Sequence, residues 1–265
     1  MRYAVAMTAV YEVSGTRAIT SANAAGPWNP QLQHGGAPSA LAVWAAERIP
    51  TSVPMQVARL TIDLLRPVPV APLDIETSVV REGKKIQLCG IIFKSNGVEV
   101  VRASVLKIRR QHFELPDTIG SQPLDLPRPH EVNPPTEAAP YANSFVSGIE
   151  LRMVRGGFRQ LGPASIWFRA HRPIVAGEAI SPAMRTVMTA DFSNGISSVL
   201  SFEQWTFING DLSVSFARMP VGDWILLNAE SWIGPEGSGI ACARLADEQG
   251  YFARSVQGLV IEPRG

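Results

Sequence analysis

The sequence predicts an α+β chain of two like halves, in each of which an antiparallel sheet curves around a long, buried helix. Three observations predict it. The same order of elements can be read twice, a proline-rich stretch separates the two readings, and the first helix has almost no polar face. The length of 265 residues suits two compact units of about 100–130 residues each.

The separator is residues 116–140, which hold Pro116, Pro123, Pro127, Pro129, Pro134, Pro135 and Pro140. Proline has no N–H and a fixed φ, so this stretch is neither helix nor central strand. It reads as an extended linker crossing between a first half at 1–115 and a second at 141–265.

The opening MRYAVAMTAVYEVSG reads as a strand. Its apolar run is broken at Thr8, Tyr11 and Glu12, too early for a signal-peptide core or a membrane span. His34-Gly35-Gly36 then leads into APSALAVWAAERI, residues 37–49. Pro38 falls in the first turn, where its missing N–H costs nothing. The rest is good helix former and apolar nearly all round, so the helix must be buried. In RLTIDLLRPV, Leu60, Ile62 and Leu64 recur with a period of two, the pattern of a strand. LDIETSVVRE and KIQLCGIIF are two more. Asn96-Gly97 is a hairpin signal because both residues tolerate positive φ, and VEVVRASVLKIRR returns from it.

In the second half, Asn194-Gly195 starts or interrupts a helix, GISSVLSFEQW. Strands DLSVSFARMP, WILLNAESW, SGIACARLA and YFARSVQGLVIEPR follow. The halves superpose at an offset of about 153 residues, growing to about 159 at the helices. That offset sets Cys89 against Cys242, and Asn96-Gly97 against Gln249-Gly250. Arg66-Pro67 falls near Arg218 and Pro220. A helix wrapped by a curved antiparallel sheet is the hotdog arrangement. Two in one chain, sheets edge to edge, make a tandem (double) hotdog. Its open sheet edges favour covering by association, hence a homodimer or larger homo-oligomer.

Composition narrows the function. The net charge is +1, and no basic run exceeds Lys84-Lys85 or Arg109-Arg110. This argues against nucleic acid or an anionic membrane surface as partner. Two cysteines make no disulfide framework. Each reads as a small buried hydrophobe, and a reduced cytoplasm is the default location. His34, His112, His130 and His171 have no metal-ligand spacing. The chain lacks a Gly-x-Ser-x-Gly elbow, a phosphate loop and a dinucleotide fingerprint.

Five segments carry a family resemblance: LQHGGAPSALAVWAAE at 32–47, ASIWFRAHRPIVAGEAISPAMR at 164–185, TADFSNGIS at 189–197, INGDLSVSFARMPVGDWILL at 208–227 and SVQGLVIEPR at 255–264. In their order and spacing the chain resembles the TesB-like (type II) acyl-CoA thioesterases. The resemblance implies hydrolysis of an acyl-CoA to free acid and CoA, with no metal or cofactor. It implies a water held by Asp191, by a residue at position 209 and by Gln257. The family has Thr or Ser where this chain has Asn209, a departure that removes a hydroxyl but leaves an amide able to donate and accept. On this reading Asp191 is the general base and precedes the second helix, whose dipole favours the ionised form while a partly buried pocket opposes it. The substrate would meet His34, Gly35 and Gly36, whose backbone N–H groups at the start of the first helix would serve as oxyanion donors.

Each residue also has a purely structural reading. Asp191 could cap a helix, and Gln257 could simply hydrogen-bond the neighbouring helix. Gly35-Gly36 could permit close packing, and Asn209-Gly210 could be a turn. The repeat pairs Asp191 with about Leu32, Asn209 with about Val57 and Gln257 with about Ser104, so only one of two equivalent positions keeps a polar set. Two other functions stand beside hydrolysis. One is a catalytically degenerate hotdog that binds acyl-CoA, suggested by Asn209. The other is an enoyl-thioester hydratase, whose Asp-x-Asn-Pro-x-His segment is similar to Trp28-Asn29-Pro30 with His34. Here Pro27 stands in place of the acid and the histidine falls two residues late.

Overall fold

The computed structural model describes residues 9–116, 119, 122–135 and 144–264. The first half contains β1 (Tyr11–Ser14), β2 (Arg17–Thr20), α1 (Gly36–Glu47), β3 (Met55–Leu64), β4 (Leu73–Arg81), β5 (Ile86–Ser95) and β6 (Val98–Arg109). The second contains β7 (Ile149–Gly157), β8 (Gln160–Ala170), α2 (Pro182–Ala190), α3 (Ser193–Ile196), β9 (Trp205–Asn209), β10 (Asp211–Phe216), β11 (Trp224–Ile233), β12 (Ser238–Asp247) and β13 (Gly250–Pro263). These strands form one antiparallel sheet in the order β1-β2-β4-β5-β6-β3-β10-β13-β12-β11-β8-β7, with β9 on β13. β3 and β10 join the halves, pairing Leu60 with Val214 and Ile62 with Leu212.

Helix α1 packs on β3 to β6, α2 on β10 to β12, and the two helices on each other. Every residue of α1 from Gly36 to Ala46 is buried, as its all-apolar surface requires. Leu60, Ile62, Leu212 and Val214 are fully buried beneath the helices. Such side chains contribute about 1.5–3 kcal/mol each relative to exposure.

Several expectations change. The helices are short, 12 residues for α1 and 9 and 4 for α2 and α3, rather than two long helices. The second helix is not GISSVLSFEQW. It begins earlier, where Ser181 caps α2 by accepting from the Met184 N–H at 3.1 Å, with Pro182 in the first turn. That Ser-Pro start is a strong helix signal. Residues 199–204 carry neither helix nor strand. The larger offset at the helices implies a shorter helix-to-strand connection in the second half; it is instead longer than in the first.

The ladders also correct the repeat. Thr61 pairs with Ser213 across the junction, a spacing of 152 residues. Thr61 pairs with Ser104, and Ser213 with Val256. The β5–β6 irregularity after Phe93 recurs after Leu245. A one-residue slip in strand register turns every side chain to the other face. Hence Cys89, fully buried, matches Ala241 and not Cys242, which is only half-buried. The mate of Gln257 is Val105, not Ser104. The mate of Asn209 is Val57, as expected.

The opening strand starts at Tyr11, and residues 1–8 lie outside the described residues, as do 117, 118, 120, 121 and 136–140 of the proline-rich stretch. Its described part is irregular apart from a short 3-10 turn at Pro129–Glu131. Leu124 and Leu126 lie on a cluster of Trp167, Leu226, Ala246 and Tyr251, and Pro127 O accepts from Trp167 Nε1 at 2.8 Å.

Candidate active site

Asp191, Asn209, Gln257, His34 and Gly35 all meet at one place, where the start of α1 touches the end of α2. Asp191 is the last residue of the α2 turn, with φ −66° and ψ −16°. It therefore ends a helix, where the macrodipole opposes a negative charge. The N-terminus that favours its carboxylate is that of α1, in the other half. A Cβ added at Gly35 would lie 2.7 and 2.9 Å from the two Asp191 oxygens. Glycine is needed at 35 because the carboxylate occupies the space of a side chain. At Gly36 a Cβ would meet Met188 O at 2.9 Å, so this glycine serves helix packing.

Asp191 is 4% exposed. A buried carboxylate needs partners, and it has them. Asn209, at the end of β9, donates from Nδ2 to Oδ1 at 3.0 Å. Gln257, inward-facing on β13, donates from Nε2 to Oδ1 at 3.3 Å and to the Asp191 carbonyl at 3.2 Å. Its Oε1 accepts from the Asn194 N–H of α3 at 3.2 Å. His34 Nδ1 lies 2.8 Å from Oδ2. The imidazole packs against the rings of Phe145 and Phe192, at centroid distances of 5.1 and 4.2 Å.

A cavity of about 1270 Å³ opens beside the cluster, with His34, Gly35, Asp191, Asn194 and Asn209 in its wall. Its remaining surface is mainly apolar, including Trp28, Val68, Ile149, Leu151, Phe158 and Ile208. Gln257 is wholly buried and does not reach it. Among the described residues lining the cavity, Thr206 is the one hydroxyl. An apolar cavity with a few convergent polar groups at one point is a small-molecule site. This one offers a carboxylate, an imidazole and amides, and among the described residues of its wall no serine or cysteine.

Sequence reasoning named the five principal residues but missed Asn194, which supports Gln257 and whose Nδ2 donates to Phe207 O at 3.3 Å. In the sequence the Asn-Gly pair at 194–195 signals only the start or interruption of a helix. Reasoning from sequence also placed His34 against substrate without its contact to Asp191. Asn29, in the segment similar to the hydratases, is used locally, accepting from the Gln31 N–H at 2.8 Å.

Fold and site together define a hotdog-type protein with a buried carboxylate cluster beside a largely apolar cavity. Residues 24–108 match the acyl-CoA thioesterase N-terminal domain and residues 123–261 the acyl-CoA thioesterase C-terminal domain. The chain belongs to the acyl-CoA thioesterase family and is a thioester hydrolase by class. Similar solved structures include a conserved protein of unknown function with a hot dog fold from Alicyclobacillus acidocaldarius, with TM-score 0.75, 19% identity and 97% of each chain covered. The tesB protein of Mycobacterium avium subs paratuberculosis has TM-score 0.69 and 15% identity, with 96% of each chain covered. Acyl-CoA thioesterase II TesB2 of Mycobacterium marinum has TM-score 0.63 and 16% identity, covering 87% of this chain and 90% of that one. These likenesses bear on the fold. The search of curated proteins returned no match. Among the described residues, no helix is long and apolar enough to cross a membrane.

Proposed function

We propose that the chain is a tandem hotdog that hydrolyses an acyl-CoA at the Asp191 cluster, using water and no metal or cofactor. On this reading residues 116–140 cross between two hotdog units that meet at β3 and β10. The observation that carries it is the buried Asp191 carboxylate, held by Asn209, Gln257 and His34 at the wall of the cavity. A thioester bound there would lie between that cluster and the start of α1, where the Gly35 N–H suits a developing oxyanion; the Gly36 N–H, expected as a second donor, is spent on His34 Nδ1 at 3.1 Å. Gln257 acts as a positioning residue. Asn209, which reaches the cavity, has its Oδ1 available to a water, so the missing hydroxyl is replaced by an amide that both holds the carboxylate and accepts.

The test is a free-thiol release screen over short, medium, long and aromatic acyl-CoAs. Release from at least one, abolished in Asp191→Ala, is expected. Binding without turnover across the panel would instead make the chain a degenerate acyl-CoA binder. A 3-hydroxyacyl product from crotonyl-CoA with no free CoA would make it a hydratase.

A further inference from the structure

The hydrolytic reading leaves open which acyl group the cavity takes. The geometry points to Phe158 as the residue that ends the acyl subsite and limits the substrate to short acyl groups. This rests on the proposed hydrolysis at Asp191 and adds its chain-length limit.

The two halves differ where Phe158 lies. The ladders set Leu73 against Ile225, hence Ala18 against Phe168 and Tyr11 against Ile149. β1 turns into β2 at Gly15 and Thr16, with Ser14 paired to Arg17. Their counterparts Arg152 and Trp167 are also paired, but residues 153–166 carry the hairpin on beyond them. Phe158, at its tip, therefore has no counterpart in the first half. The first half is also closed where the second is open. The Tyr11 N–H donates to Ile174 O at 2.8 Å, and the Ala176 N–H to Tyr11 O at 2.9 Å. Ile149, the mate of Tyr11, lines the cavity instead.

The extension is bent toward the site. Its ladder is irregular between Met153 and Arg155 and again between Arg155 and Gly157, and bulges of this kind re-aim side chains. Gly156 has φ +63°, and a Cβ there would meet Pro163 O at 2.8 Å, so the bend needs glycine. The Gly162 N–H ties the returning strand to Ser198 O at 2.7 Å, just past α3. Phe158 then packs on the core and lines the cavity, whereas Arg159 and Gln160 after it are exposed.

The ring is close to the Asp191 cluster. Phe192, next to Asp191, bridges the two. Its ring centroid lies 4.2 Å from that of His34 and 6.4 Å, edge to face, from that of Phe158. A Cβ at Gly195, on α3, would lie 3.9 Å from Phe158 Cε1. An acyl chain that starts at the cluster and follows this apolar side meets the Phe158 ring after a few carbons. The rim at Asn29 and Arg66 is polar and exposed and suits the CoA portion.

The experiment measures thiol release from saturated acyl-CoAs of increasing length by wild type, Phe158→Ala and Phe158→Leu, with circular dichroism to verify folding. Non-hydrolysable S-alkyl-CoA thioethers of the same lengths measure binding in parallel. Wild type should prefer short chains. In Phe158→Ala the optimum should move to longer chains, and kcat/KM on the first chain that wild type rejects should rise about tenfold, the lower end of what one methylene is worth in an apolar pocket. The gain should come through KM, and the matching thioether should bind more tightly. Phe158→Leu, the milder change, should move the optimum part of the way even if Phe158→Ala folds poorly. A purely structural role would lower every chain length by the same factor. An unchanged order of chain lengths in a folded variant overturns the assignment, as does a wild type that prefers long chains. A wild type that neither releases thiol nor binds a thioether fails the hydrolytic reading itself, a separate outcome.

Discussion

At one end of the helix pair, the start of α1 meets the end of α2, and Asp191 lies buried between His34 and Gly35. At the other, the end of α1 meets the start of α2, and Glu47, exposed, accepts from Ser181 Oγ at 2.9 Å. The arrangement is the same: a carboxylate at a helix end facing the first residues of the other half's helix. The surroundings differ. Where the second half has Asn209 and Gln257, the ladder places Val57 and Val105, both buried and apolar. Where Gly35 lets the carboxylate in, Ser181 caps its own helix. The scaffold supplies two equivalent corners, and only the one with polar residues on its strands holds a buried charge.

The largest expected effect that tests this contrast is on turnover. Asp191→Ala should cost about 10²–10⁴-fold in kcat/KM in a thiol-release assay, while Glu47→Ala leaves it within about twofold of wild type. Equal losses would erase the difference between the corners. Gly35→Ala comes next. Its Cβ would push Asp191 out of place, and a displacement of that size costs about 10²-fold in rate, visible as lower kcat with the protein still folded. Gln257→Leu should reduce turnover and also lower stability by about 1–3 kcal/mol, because it strands the buried Asn194 N–H. Chemical denaturation measures the second part, and Val105→Ala, its mate, should affect stability alone.

A fourth prediction concerns acid. The buried Asp247 is paired with Arg218, at 2.5 and 2.7 Å. The first-half counterpart Arg66 is exposed and reaches only the Glu99 carbonyl. Burial alone would raise the Asp247 carboxyl. Hydrogen bonds from Arg218 and from the Val221 and Gln249 N–H groups outweigh it and hold the carboxyl below its ordinary value. A lowered folded value contributes stability that is present above the ordinary aspartate range, about 3.9, and is lost as pH falls through the folded value. The melting-temperature gap between wild type and Asp247→Asn should therefore narrow on acidification below about pH 4. The smallest effect is Ser181→Ala, which should cost about 1 kcal/mol as a lost helix cap and leave kcat unchanged. That result would separate the structural cap of α2 from the glycine entrance of α1.

The strands β3 to β6 and β10 to β13, the buried α1 and the polar residues of the site were legible in the sequence, whereas β2, β7, β8 and β9 were not marked there as strands. Alternation with a period of two marks a half-buried strand wherever it occurs, an all-apolar helix has to be covered, and an amide such as Gln257 in an apolar strand needs a partner. The register was not legible. Offsets of 152 and 153 both align two apolar alternating strands closely enough, and only the hydrogen-bonded ladder chooses between them. Nor was the second helix, because GISSVLSFEQW has the composition of a helix but residues 199–204 are spent crossing to β9. The contact of His34 with Asp191 lay furthest out of reach. The two residues are 157 positions apart, and nothing local to either fixes the other. Sequence alone thus determined which residues could do chemistry. The tertiary structure decided that the carboxylate faces an imidazole and a glycine from the opposite half, because the packing of α1 against α2 sets the start of one helix against the end of the other.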